Sequence, residues 1–112
     1  MKVQTQSHGN VSVISAHGPL VSEELVDLRR AVEATLSTGG KRLVLDLREV
    51  PYLDSAGIEL LLELGQASLG PHRRPKLAAL SETVLEALEL TDVLPRLEVF
   101  DTVENAMRSA QR

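Results

Sequence analysis

No cysteine and no tryptophan occur in this chain, and Tyr52 and Phe100 are its only aromatic residues apart from histidine. Each scarcity closes a route. Without cysteine there is neither a disulfide framework nor a thiolate nucleophile, which agrees with a reducing compartment. Two rings offer no platform on which successive bases could stack, and a formal charge of −4 opposes a phosphate backbone, so nucleic-acid binding is not expected. Long apolar runs are missing as well. The leucine-rich stretch 58–64 is interrupted by Glu59 and Glu63 and falls far short of the ~20 apolar residues that cross a bilayer. Residues 1–10 are polar and hold no hydrophobic signal-peptide core. A soluble, cytoplasmic protein without membrane insertion is the expectation.

Catalytic signatures are scarce too. The chain has no Gly-rich phosphate cradle, no serine–histidine pairing at a nucleophile elbow and no cofactor motif. His8, His17 and His72 show no metal-ligand spacing. An enzyme, a cofactor and a metal are therefore not expected. Asp46 lies in an apolar run, where a carboxylate near a strand end reaches solvent or loop N–H groups and serves structure. Arg73 and Arg74, beside His72 and between prolines, read as a solvated loop, and Glu23, Glu24, Glu59, Glu63 and Glu86 as solvated helix faces.

What the chain does have is aliphatic bulk and regular punctuation. Its 112 residues make one domain, 1–112, able to bury roughly two thirds of the surface that the unfolded chain exposes. Val3–Ser7 and Val11–His17 flank His8-Gly9-Asn10 and predict a hairpin, with Gly and Asn supplying positive φ. Ser22 offers an N-cap oxygen, Leu25, Leu28, Val32 and Leu36 recur at helical spacing, and Gly39-Gly40 stops that helix.

Leu43, Leu45 and Leu47 then share one face of a strand. A helix over 58–67 follows, with Leu61, Leu64 and Ala67 along its inner stripe. After a loop at 70–75 come a strand at 76–80, a helix at 82–90, a strand at 97–100 and a helix at 102–110, its start marked by Asp101 and Glu104. An opening hairpin followed by alternating strands and helices predicts an α/β domain, a mixed sheet of about five strands with about four helices.

The most informative residues are Asp54-Ser55-Ala56-Gly57, which present a serine where a strand-to-loop segment becomes a helix. The first N–H groups of a helix lack internal partners and the macrodipole is positive there, so an anion is tolerated. A phosphate on Ser55 would add roughly −1.5 to −2 charge that the helix start could partly satisfy. Local chemistry alone leaves a plainer alternative open, in which Asp54 or Ser55 is only a helix cap.

Three stretches in order, Leu43–Leu47 with Tyr52–Ile58, Val84–Thr91 and Val99–Ala106, resemble the STAS family of bacterial anti-sigma-factor antagonists and sulfate-transporter modules. The resemblance implies a single STAS domain that acts as an anti-sigma-factor antagonist. In such antagonists the serine after the aspartate is phosphorylated by the anti-sigma factor itself, a serine kinase. Carried over, that serine is Ser55. The resemblance further implies a partner-binding surface at Asp54, Ser55, Ala56, Gly57 and Ile58. Asp54 would present the acceptor, Gly57 would admit the kinase backbone and Ile58 would give apolar contact. A metal-dependent serine phosphatase would reset the switch. Ala56 stands where many antagonists have a second serine, and Val21 where they commonly have an aspartate. The alternatives are a constitutive interaction module, such as a stress-signalling scaffold or a subunit of a lipid-transport ATPase complex, and a nucleotide-binding module.

Overall fold

Gly9 adopts φ +62° between two polar residues, and this one left-handed residue lets Lys2–His8 (β1) turn back against Val11–His17 (β2) in an antiparallel hairpin. The structure, a computed structural model, describes residues 1–37, 42–65 and 74–111. From β2 onward strands and helices alternate: Leu25–Ser37 (α1), Arg42–Glu49 (β3), Ser55–Leu64 (α2), Lys76–Ala78 (β4), Glu82–Leu90 (α3), Glu98–Phe100 (β5) and Val103–Ala110 (α4). The strands form one sheet in the order β1-β2-β3-β4-β5, with β1 antiparallel to β2 and the other neighbours parallel. This is the mixed α/β sheet that the alternating pattern predicts.

Helices cover both faces, which is why the middle of β3, Leu43-Val44-Leu45, reads as a continuous aliphatic run and not as strict alternation. On one face Ile14, Leu43, Leu45, Leu47 and Leu77 pack with Leu28 and Val32 of α1, Leu60 and Leu61 of α2, and Val84 and Leu88 of α3. On the other face Val11, Val13, Val44 and Ala78 meet Ala106 and Ala110 of α4. The β2–β3 register passes from Ser15 opposite Asp46 to His17 opposite Glu49, so β3 carries one extra residue. At this bulge the Asp46 carboxylate accepts the Arg48 N–H at 3.1 Å and the Ser15 hydroxyl at 3.4 Å. That is the structural role expected of it.

Several boundaries differ from the sequence reading for identifiable reasons. β4 stops at Ala78 and not at Leu80, because Ala79 turns to φ +60° and leaves the extended region. The last helix is capped by Thr102, whose hydroxyl accepts the Asn105 N–H at 3.1 Å; Asp101 is one residue too early to do so. Ser22 is not a side-chain cap. It begins a short 3-10 turn, Ser22–Glu24, that leads into α1, and Val21 before it makes no capping bond. The serine-to-helix segment is helical from Ser55 and α2 ends at Leu64, with Leu60, Leu61 and Leu64 on its buried stripe. The expected stop at Gly39-Gly40, the expected stripe residue Ala67 and most of the 70–75 loop, including His72 and Arg73, lie outside the described residues.

Candidate functional site

A short span of chain after β2 forms the bed on which the Ser55 turn rests. The Leu20 N–H donates to the Tyr52 carbonyl at 3.0 Å and the Asp54 N–H donates to the Leu20 carbonyl at 3.1 Å. Leu20 and Leu53 are thereby joined as a single parallel bridge outside the main sheet. Leu20 is fully buried, so the bed is anchored in the core and not laid on the surface.

On this bed Asp54 takes the extended backbone of an N-cap. One carboxylate oxygen, Oδ1, accepts the Gly57 N–H at 3.0 Å. The other, Oδ2, accepts both the backbone N–H of Ser22 at 3.2 Å and the Ser22 hydroxyl at 3.3 Å. These donors hold the Asp54 carboxyl below the ordinary aspartate value of 3.8, the Gly57 N–H contributing most and the Ser22 N–H next, against partial desolvation.

Asp54 thus performs the capping that either residue could have performed, and Ser55 is left free. Ser55 is the first residue of α2, it is exposed, and its hydroxyl has no hydrogen-bond partner among the described residues. It stands at the helix end whose N–H groups and dipole favour negative charge.

The other expected site residues divide between surface and interior. Ala56 and Ile58 are half-buried and pack on the core while keeping part of their surface outside. Gly57 is buried, and the backbone that approaches it closely is the chain's own Leu20 carbonyl, so the expected approach of a kinase backbone to Gly57 does not describe this geometry. Beside the Ser55 turn an open groove of about 390 Å³ lies between α1 and α2, lined by Ser22, Val26 and Ala56 together with charged side chains that include Arg30, Glu33 and Glu59. In the same groove the Arg29 guanidinium and Glu63 pair at 2.7 Å. Val26 is 51% exposed in this groove, an accessible apolar side chain.

Of the residues that build this site, Ser22 is the one that the sequence does not assign to it: it lies 32 residues from Asp54 in the chain, and no spacing or motif signals such a contact. Among the described residues no helix is long and apolar enough to cross a membrane.

The STAS domain family model matches residues 2–106. Among solved structures, a Thermotoga maritima protein described as a candidate anti-sigma factor antagonist superposes with a TM-score of 0.85 at 20% identity, covering 98% of this chain and 95% of that one. SpoIIAA, an anti-sigma factor antagonist, superposes in its unphosphorylated form with a TM-score of 0.78 at 19% identity, over 98% of this chain and 96% of its own. The phosphorylated form of SpoIIAA, a Bacillus cell fate determinant, gives 0.69 at 18% identity, over 96% and 98%. Part of the murine anion transporter Slc26a9 also superposes, with a TM-score of 0.76 at 22% identity, over 95% of this chain but 18% of the transporter.

Proposed function

The chain belongs to the STAS domain family, and from that premise we propose that it is an anti-sigma-factor antagonist whose partner binding is controlled by phosphorylation of Ser55. The single observation that carries this reading is the division of labour at the start of α2. Asp54 supplies the cap, so the adjacent exposed serine has no bond to lose when it is modified. A serine needed for the fold would be a poor switch. This one is dispensable to the fold and sits where an added anion is tolerated.

In the unphosphorylated state the surface around Asp54, Ser55, Ala56 and Ile58 docks on an anti-sigma-factor serine kinase, with the groove beside it extending the contact. A phosphate on Ser55 then adds a dense charge next to the ionised Asp54 inside a patch that docking must desolvate. If this juxtaposition costs ~3 kcal/mol, affinity falls about a hundredfold and the kinase is released. A metal-dependent serine phosphatase restores the first state. The role is one of binding and regulation, not of catalysis by this chain.

The test is intact-mass analysis and site mapping after incubation with ATP and the serine kinases of the source cell, with Ser55→Ala alongside. One added phosphate, absent from Ser55→Ala, is the expected result. No phosphate with any kinase overturns the reading.

One feature favours a second reading, a constitutive interaction module. Where antagonists commonly carry an aspartate this chain has Val21, half-buried at the entrance to the 3-10 turn. That the same fold occurs inside a murine anion transporter fits a module without a switch. Co-purification of a transporter subunit in place of a kinase would select it.

A further inference from the structure

We infer that Ser22 is a positioning residue for the Ser55 hydroxyl, acting through Asp54; this rests on the reading of Ser55 as phosphate acceptor. The Asp54 carboxylate lies one residue from the acceptor and has two oxygens to dispose of. Oδ1 is committed to the Gly57 N–H at 3.0 Å, within its own helix start. Oδ2 is taken by a different element altogether, through the Ser22 N–H at 3.2 Å and the Ser22 hydroxyl at 3.3 Å. Ser22 is itself fixed, because Leu20 two residues earlier is tied by backbone bonds to Tyr52 and Asp54. The donors therefore arrive from a rigid support.

Their consequence concerns the nucleophile. In the transfer the Ser55 oxygen bonds to the γ-phosphorus of ATP, the bond from that phosphorus to the ADP oxygen breaks with its electron pair, and the serine proton passes to a base of the kinase. A carboxylate oxygen with an open lone pair beside that serine interferes in two ways. It can accept the serine hydroxyl and hold its proton, and it repels the incoming phosphate. With Ser22 in place Oδ2 accepts two donors and Oδ1 accepts the Gly57 N–H, with the Ala56 N–H also directed at the carboxylate, and the Ser55 hydroxyl has no partner among the described residues. Removing the Ser22 hydroxyl keeps the backbone N–H bond, and hence the fold, while opening one acceptor site on Oδ2.

The experiment compares wild type, Ser22→Ala and Ser22→Thr as substrates of the serine-kinase fraction of the source cell with ATP, measuring initial rates against protein concentration. The Asp54 side-chain carboxyl is titrated in parallel by carbon-13 NMR. Ser22→Ala is expected to lower kcat about 3- to 10-fold, the rate equivalent of one ordinary hydrogen bond. KM stays within about twofold, and the Asp54 pKa moves up toward the ordinary value of 3.8. Ser22→Thr restores both. Equal kcat for Ser22→Ala and wild type overturns the positioning role while Ser55 remains the acceptor. A change confined to KM assigns Ser22 to the docking surface and overturns it too. Wild type that takes no phosphate overturns both this inference and the reading beneath it.

Discussion

Gly57 holds its α-carbon so close to the Leu20 carbonyl that a β-carbon would overlap that oxygen and stand 3.0 Å from the Leu20 Cβ and 3.1 Å from the Leu53 Cβ. The neighbour in the way is backbone, and that carbonyl also accepts the Asp54 N–H at 3.1 Å, so it cannot yield without loosening the serine turn. Gly57→Ala is expected to destabilise the domain by about 2–3 kcal/mol despite the better helix propensity of alanine, a Tm lower by about 10 °C in thermal denaturation. A Tm equal to wild type would mean that Leu20 and α2 can separate freely.

Capping and accepting are separable by stability alone. Ser55→Ala removes an exposed hydroxyl without a partner, so its Tm should correspond to a change within ~0.5 kcal/mol of wild type. Asp54→Ala leaves the Gly57 N–H and both Ser22 donors without their acceptor, and its Tm should fall by about 5 °C. The reverse order would make Ser55 the cap.

Acid should act through the same carboxylate. The Asp54 pKa is lower in the folded chain than its ordinary 3.8, because the Gly57 and Ser22 donors favour the ionised form. Its contribution is therefore complete above the unfolded value and is lost as the pH falls through the lower folded value. Between about pH 5 and about pH 2.5, wild type should lose more Tm than Asp54→Asn, whose amide carbonyl can still accept a bond but cannot titrate. Parallel pH profiles for the two proteins would show that Asp54 is not linked to stability.

Ala79 holds φ +60°, a conformation that costs a β-carbon-bearing residue about 1–2 kcal/mol and costs glycine nothing. Its N–H is nonetheless fixed to the Phe100 carbonyl at 3.0 Å, which keeps it there. Ala79→Gly should stabilise the domain by about 0.5–1 kcal/mol after the extra unfolded-state entropy of glycine is subtracted, read as a raised urea midpoint at unchanged slope. A lower midpoint would place the small alanine methyl among the useful contacts.

The order and type of the elements could be read from the chain because each rests on local periodicity and punctuation. Leu43, Leu45 and Leu47 do share a buried face, and Leu25, Leu28 and Val32 do form an inner stripe. Ends were harder. Thr102 and Asp101 are both good caps, and only the backbone angles choose between neighbours. The strand at 76–80 loses its last two residues to a left-handed alanine that no propensity would suggest.

The candidate site was visible in its contiguous half. Asp54 and Ser55 stand next to each other in sequence at a recognisable helix start, and the structure assigns the cap to Asp54. Its other half was hidden. Ser22 looked like a cap for its own helix and turned out to serve a carboxylate thirty-two residues away. Gly57 looked like room for a partner and is room for Leu20.

The sheet also counts its strands in chain order, 1 through 5, and its crossover helices α1, α2 and α3 all pack on one face. Open α/β sheets that hold mononucleotides or dinucleotides do so in a crevice created where successive crossovers diverge to opposite faces. Among the described residues this chain never makes that divergence between parallel strands. The turn that carries Ser55 follows the carboxyl end of β3. This winding therefore opens no switch-point crevice at the strand ends among the described residues.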